Sequence, residues 1–187
     1  MAGNGTDYRE EIKAMKEIFL ALSLIGAVLL GITLFQGQKA DNLDKESVHA
    51  HIGWALGTAI YLMVLHGVVI TYFMGTGFAV KEAVEEHGVS EEFLARARAF
   101  KMRVFPVTTL AIFLVVLSII LGTAAFTSRT GEAGIHRTLA YLALFLNLGV
   151  FYLQFQAIWE NGKLLEEINA ALPEEAPASG LPTPPGE

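Results

Sequence analysis

The feature that most constrains this chain is a set of four long apolar runs that contain no charged residue. They are Ile18–Phe35, Ile52–Met74, Val104–Phe126 and Leu139–Trp159. A helix of about 20 residues crosses a hydrocarbon core of about 30 Å, so each run is long enough to span a bilayer. The chain is 53% hydrophobic and only 17% charged, unlike a soluble domain. The sequence therefore predicts an all-α integral membrane four-helix bundle with up-down-up-down topology.

Lysine and arginine are divided unevenly between the two ends of this bundle. Nine of the 13 precede the first run, join the second run to the third, or follow the fourth, and four lie at the other end. Because cytoplasmic segments carry the excess of positive residues, both termini are predicted to be cytoplasmic. The expected location is a bacterial inner (plasma) membrane.

The rest of the chain divides into one domain and a tail. Residues 1–172 form the predicted transmembrane domain, and Gly88 and Ser90 are expected to end one helical extension and begin the next between the second and third runs. Residues 173–187 are rich in proline and are predicted to be disordered. No internal repeat is evident.

Composition excludes several classes of function. The chain has no cysteine, which rules out disulfides, thiolate metal sites and iron–sulfur clusters. Its net charge of −6, without a dense basic stripe, argues against nucleic acid as a partner. It offers no nucleophile–base pair or phosphate-binding loop, so an electron carrier or a subunit is expected rather than a stand-alone enzyme.

Histidines in and beside the apolar runs are the main candidates for chemistry. His51 begins the second run and His136 precedes the fourth, and the predicted topology brings them to the same membrane depth. At 100° per residue, Asn147 and Gln154 fall on the same stripe as His136. Polar residues of membrane helices face the bundle interior. Two helices are therefore expected to direct a histidine inward near the same surface.

A histidine pair of this kind suits haem b, whose iron takes one imidazole on each face of the porphyrin. His51 and His136 are the predicted axial ligands and thus the predicted metal ligands. Arg137, beside His136, is expected to pair with a haem propionate, as are His49 or Arg129. His66 and Asn147 complete the predicted cofactor-binding residues.

His66 leaves three alternatives open, because no other histidine lies at its depth. It would ligate a single-ligand tetrapyrrole, border a quinone pocket, or form a hydrogen bond to a neighbouring helix. The polar residues at this depth are Gln154 on the fourth run and Ser23 on the first.

Two stretches of the chain resemble a known family. The segments HAHIGWALGTAIYLMVLHG and GIHRTLAYLALFLNLGVFYLQ look like the histidine-headed helices of the ascorbate-type transmembrane cytochrome b superfamily. The resemblance implies a four-helix core that holds haem b and transfers electrons to or from ascorbate, quinol or ferric iron. Only His51 and His136 match the ligand-bearing positions, whereas the family usually has four such histidines and two haems. One haem near the outer face is therefore expected.

Two other interpretations remain open. The chain is also typical of a non-catalytic transmembrane subunit of a larger respiratory or photosynthetic complex, or of a homo-oligomer, with a bound pigment, quinone or lipid. The G-x-x-x-G pattern of Gly53 and Gly57 favours such helix packing. Alternatively, His49, His51 and His136 would form a copper or zinc site at the outer face.

Overall fold

Four long helices make up the protein in its computed structural model, which describes residues 5–40, 45–128 and 132–172. Their bounds are α1 Gly5–Ala40, α2 Lys45–His87, α3 Glu91–Ser128 and α4 Glu132–Ala171. Each helix contains a segment long and apolar enough to cross a membrane. The prediction of an all-helical membrane protein with four spans is therefore confirmed. The proline-rich tail at 173–187 lies outside the described residues.

The turn between α2 and α3 has the caps that the sequence predicts. Gly88 adopts φ 68°, the left-handed conformation that suits glycine at a helix C-terminus. The amide of Val89 donates to the carbonyl of Ala83 over 3.5 Å, closing the last turn of α2. The hydroxyl of Ser90 accepts from the amide of Glu92 at 3.3 Å and begins α3. α2 and α3 therefore stay helical up to the three-residue turn at 88–90 that joins them.

The helices pack in a ring in which each one contacts two neighbours over most of its length. α1 packs against α2 and α4, and α3 packs against the same two helices. α2 and α4 touch only at a few positions across the bundle, and α1 does not contact α3 within the described residues. Side chains that α2 and α4 direct inward therefore face each other along one diagonal.

Apolar residues fill the interior and also cover the outside. A large cluster forms the core of the bundle: Phe19, Leu30, Ala59, Leu62, Leu65, Val69, Phe73, Val104, Val115, Ala143, Phe151, Ala157 and Ile158. On the outer surface, Val64, Phe113 and Phe145 expose more than half of their area. Exposed apolar surface around the full circumference suits contact with lipid rather than water. The chain is an integral membrane protein in contact with the bilayer.

Candidate functional site

His51 and His136 approach each other across the α2–α4 diagonal. Their ring centroids lie 6.1 Å apart, and the ring planes are inclined at 66°. Both side chains are half-buried. The structure therefore brings together the two histidines that the sequence predicts as a pair.

A backbone carbonyl fixes the orientation of each ring. Nδ1 of His51 lies 3.2 Å from the carbonyl oxygen of Thr33 on α1, and Nδ1 of His136 lies 2.9 Å from that of Ser118 on α3. A carbonyl oxygen only accepts, so Nδ1 carries the proton and donates in each case. In the neutral imidazole, the lone pair is then on Nε2. Histidines that bind a metal through Nε2 have this tautomer too.

Two glycines provide the space in which these rings lie. A Cβ atom added to Gly37 would come within 3.0 Å of Cε1 of His51, and one added to Gly122 within 2.8 Å of Cε1 of His136. Carbon atoms in van der Waals contact are separated by about 3.5–4.0 Å, so any side chain at either position would push the ring away. The close approach of ring to helix therefore requires glycine on α1 and on α3.

The two histidine environments have the same spacing in the two halves of the chain. In each half, the residue whose carbonyl accepts from the ring comes first, the glycine follows one helical turn later, and the histidine stands on the next helix. The intervals are identical, so Thr33, Gly37 and His51 correspond one to one with Ser118, Gly122 and His136 at a single constant offset. No internal repeat is evident from the sequence as a whole because the surrounding apolar residues differ. The equal spacing of glycine and histidine is the signal that reveals it.

His66 lies deeper in the bundle and belongs to a fully buried polar network. Its Nε2 donates to Oδ1 of Asn147 at 2.9 Å, and its Nδ1 accepts from Nε2 of Gln154 at 3.1 Å. Asn147 donates in turn to the carbonyl of Ala143 at 2.7 Å, and Gln154 donates to the hydroxyl of Thr108 at 3.0 Å. Of the three alternatives for His66, the structure shows the hydrogen bond to a neighbouring helix. Both ring nitrogens take part, so neither is directed at a ligand.

One atom of this network lacks a partner. Oε1 of Gln154 is buried and accepts no hydrogen bond within the described part of the chain. A half-turn of the amide would exchange its oxygen and nitrogen, so that Oε1 would accept from the hydroxyl of Thr108 and from a protonated Nδ1 of His66. The amide orientation in the structure is the one that gives neutral His66 a donor at Nδ1.

The remaining predicted residues are His49, Arg137 and Arg129. His49 and Arg137 are exposed, and Arg129 lies outside the described residues. Where side chains are described, no three or more His, Asp or Glu residues are grouped to hold a metal ion. The alternative of a copper or zinc site from His49, His51 and His136 is therefore wrong, because His49 faces outward. Gly53 and Gly57 are also exposed, and a Cβ atom added to either would meet nothing within 4 Å in the described part of the chain.

Ion pairs join α3 to α4 at the opposite end of the bundle from the paired histidines. Arg96 forms a two-bond pair with Glu167, and Nη2 of Arg103 lies 2.7 Å from Oε2 of Glu160. The hydrogen bond from Arg96, assisted by its charge, holds the pKa of Glu167 below its ordinary value. Two of the basic residues on which the predicted orientation depends, Arg96 and Arg103, thus also join α3 to α4 outside the apolar segments.

The functional residues that sequence reasoning missed are Thr33, Ser118, Gly37, Gly122 and Thr108. Four of them support the histidine pair and one completes the buried network. No family model, no curated protein and no solved structure matches the chain.

Proposed function

We propose that the protein is a membrane electron-transfer protein, or a cytochrome b-like subunit, that binds one haem b between His51 and His136. The observation that carries this proposal is the pair of facing imidazoles, each oriented by a backbone carbonyl. When bound, haem supplies one-electron exchange at its iron. The protein's own residues hold the two ligand nitrogens and surround the porphyrin with apolar side chains.

The distance between the rings fits this role. A metal–imidazole bond is about 2 Å long, and the ring nitrogen lies about 1 Å from the centroid, so two imidazoles on one metal have centroids about 6 Å apart. The centroids of His51 and His136 are 6.1 Å apart. The separation of the two rings is therefore of the size that two imidazoles on one iron atom would have.

The surroundings also suit a porphyrin. Ala59, Leu62 and Ala143, all buried, lie about two to three turns deeper on α2 and α4 than the two histidines. The hydrogen bond from each Nδ1 fixes the orientation of the ring, as carbonyl partners do for metal-bound histidines. Arg137 is exposed and stands next to His136 in the chain, and we assign it as the propionate partner that the sequence predicts.

Membrane orientation follows from the positive residues. We propose up-down-up-down topology with both termini in the cytoplasm of a bacterial cell, which puts the histidine pair near the non-cytoplasmic surface. Contacts between the helices support this topology. Thr33 of α1 contacts His51 of α2 at one end of the bundle, and Arg96 of α3 pairs with Glu167 of α4 at the other end. Only His51 and His136 match the ligand-bearing positions of the ascorbate-type transmembrane cytochrome b superfamily, and both ring nitrogens of His66 are hydrogen-bonded, so we propose one haem instead of the two that this superfamily usually holds.

The test is an absorption spectrum of the protein purified from cells supplied with a haem precursor. We expect the reduced-minus-oxidised spectrum of a low-spin b-type cytochrome, and loss of that spectrum in His51→Ala and in His136→Ala. His49→Ala is the matched control, because this exposed histidine is two residues from His51, and it should keep the spectrum. A colourless wild-type protein, or two alanine variants that retain the haem spectrum, would disprove the proposal.

A second candidate is a non-catalytic subunit of a larger complex or a homo-oligomer, with a pigment, quinone or lipid as its ligand. The observation in its favour is the exposed pair Gly53 and Gly57 on α2, where another helix has room to approach closely. Gly57→Leu should then abolish copurification with a partner chain or a second copy, while leaving any haem spectrum intact. Gly31→Leu, exposed on α1, is the control.

A further inference from the structure

A pocket of about 230 Å³ lies between α1 and α4, deeper in the bundle than the histidine pair. Aromatic rings provide much of its wall, and exposed residues such as Leu24 and Tyr152 leave it open to the lipid. Its lining includes Phe19, Ser23 and Ala27 from α1 and Phe151, Tyr152 and Phe155 from α4. A dry cavity of about 150 Å³ accepts a benzene ring, so this pocket has room for a substituted six-membered ring.

Ser23, one of the residues that line this apolar pocket, carries a buried hydroxyl group without a hydrogen-bond partner in the described part of the chain. Its side chain is only 7% exposed, and Oγ has no hydrogen-bond partner within the described part of the chain. A helical serine ordinarily donates to the carbonyl four residues earlier, which here would be that of Phe19, but this bond is not formed. A buried hydroxyl without a partner is uncommon and requires an explanation, such as a ligand.

The equivalent position in the other half of the chain shows what Ser23 lacks. The offset that relates His51 to His136 also relates Ser23 to Thr108, whose hydroxyl accepts a hydrogen bond from Gln154. The same offset relates Gln154 to Val69, which has no polar side-chain atom to offer. Ser23 therefore has a hydroxyl group, as Thr108 does, but no glutamine at the position that would donate to it. The pocket lies beside Ser23.

We propose that this pocket binds the ring of a lipid-soluble quinone, with Oγ of Ser23 donating a hydrogen bond to a quinone carbonyl. The aromatic side chains offer faces and edges against which a flat ring packs. The opening toward lipid lets an isoprenoid tail remain in the bilayer. The site is separate from the histidine pair, so it stands whether or not that pair binds haem.

Depth in the membrane distinguishes a quinone from the other source of carbonyl groups, the ester of a phospholipid. Ser23 lies seven residues beyond Lys16, or about 10 Å along the helix axis. Phospholipid esters remain at the interface, near the level of such flanking lysines, whereas a quinone ring dissolves in the hydrocarbon. The hydroxyl of Ser23 is therefore better matched by a ring that enters from within the bilayer.

The experiment uses the full-length protein in phosphatidylcholine nanodiscs that contain no quinone. An azido-benzoquinone is photolysed in the nanodiscs, with and without an excess of short-chain ubiquinone or menaquinone analogue, and labelled peptides are identified by mass spectrometry. We expect saturable labelling of segments 19–27 and 148–155 that either analogue displaces. Labelling that does not saturate, or that neither analogue displaces, would mean that only lipid occupies the pocket and would overturn the proposal.

Variants make the test specific for Ser23. Ser23→Ala should weaken binding about three- to tenfold, the range expected when one neutral hydrogen bond is lost. Ala27→Phe should fill the pocket and abolish labelling. Thr109→Ala, which removes an exposed hydroxyl on α3, is the control and should bind as the wild type does. If Ala27→Phe does not fold, Ser23→Ala decides alone, and wild-type affinity in that variant would refute the assignment.

Discussion

Gly37 and Gly122 occupy equivalent positions in the two halves of the chain, each at the same interval before the histidine whose ring lies against it. The absence of a side chain allows α1 to approach the ring of His51 and α3 to approach that of His136. The same approach brings each Nδ1 within hydrogen-bonding distance of a backbone carbonyl. A glycine and a backbone carbonyl on the neighbouring helix therefore set both the position and the tautomer of each ring. The same arrangement occurs at His51 and at His136.

The first prediction concerns these glycines. Gly122→Ala introduces a Cβ at 2.8 Å from Cε1 of His136, so the ring must move and its bond to Ser118 must lengthen. Overpacking of this kind destabilises a protein by about 1–3 kcal/mol. We expect a lower thermal midpoint by circular dichroism in detergent, together with loss of the haem spectrum if the proposed function holds.

Gly149→Ala is the matched control for this substitution. Gly149 lies on α4, is exposed, and has nothing within 4 Å of an added Cβ. Replacing glycine by alanine within a helix is then favourable by about 0.5–1 kcal/mol. Equal destabilisation by both substitutions would show that the effect of Gly122→Ala does not arise from contact with His136.

Local features of this structure could be predicted from sequence, since they depend on residues close together in the chain. The four spans follow from runs of apolar residues, and the turn at Gly88 and Ser90 follows from capping preferences. The stripe through Asn147 and Gln154 was also predictable from helical periodicity, and both residues are fully buried. Gln154 even lies at the depth of His66 that the topology predicts, and bonds to it.

The contacts between helices could not be predicted in this way, because periodicity within one helix does not fix its register against the next. Thr33 and Ser118 act through backbone carbonyls, to which any residue contributes equally, so their side chains carry no signal. His66 appears from periodicity alone to share the stripe of His51. Only the packing of α2 on α4 shows that its partners are Asn147 and Gln154.

A second prediction concerns the buried bond between His66 and Asn147. His66→Leu leaves the Asn147 oxygen without a donor, and Asn147→Leu leaves Nε2–H of His66 without an acceptor. Each change should cost about 1–3 kcal/mol, the penalty for leaving a buried polar group unsatisfied. The double variant leaves neither of these two atoms unpaired. We therefore expect it to be less destabilised than the sum of the single changes, by about 0.5–3 kcal/mol.

Unfolding of the variants in mixed detergent measures these differences. His66→Leu combined with Thr109→Val is the control cycle, because Thr109 is exposed and shares no bond with the network. The changes in the free energy of unfolding caused by His66→Leu and Thr109→Val should add. Additive effects for His66 and Asn147 as well would contradict the hydrogen bond between them.

A third prediction is the pH dependence of the Arg96–Glu167 pair. The pKa of Glu167 lies below its ordinary value of 4.5, chiefly because Arg96 donates to the ionised carboxylate. A carboxyl group with a lowered pKa in the folded state stabilises the protein above its unfolded pKa, and this contribution is lost as the pH falls through the folded pKa. Both side chains are more than one-third exposed, so the pair contributes less than about 1 kcal/mol and is weakened by salt.

A comparison of the wild type with Glu167→Gln tests whether the pair loses its stabilising effect as the pH falls. The wild type should have the higher thermal midpoint at about pH 6 and low salt, and the difference should shrink toward about pH 3, where the carboxylate is protonated. Arg96→Gln should raise the pKa of Glu167 toward its ordinary value in a titration followed by NMR. A stability difference that grows at lower pH would contradict the assignment.

The fourth prediction concerns the orientation of the protein in the membrane. The composition of the chain allows a direct test. The protein has no cysteine, so single cysteines can be introduced without removing native ones. Glu46 lies five residues before His51, whereas Glu86 lies beside the turn at Gly88, and both are exposed. If the histidine pair lies near the non-cytoplasmic surface, a membrane-impermeant maleimide should label Glu46→Cys in intact spheroplasts. It should label Glu86→Cys only after lysis. The reverse pattern would put the histidine pair at the cytoplasmic surface, and labelling of both in intact spheroplasts would mean that α2 does not cross the membrane.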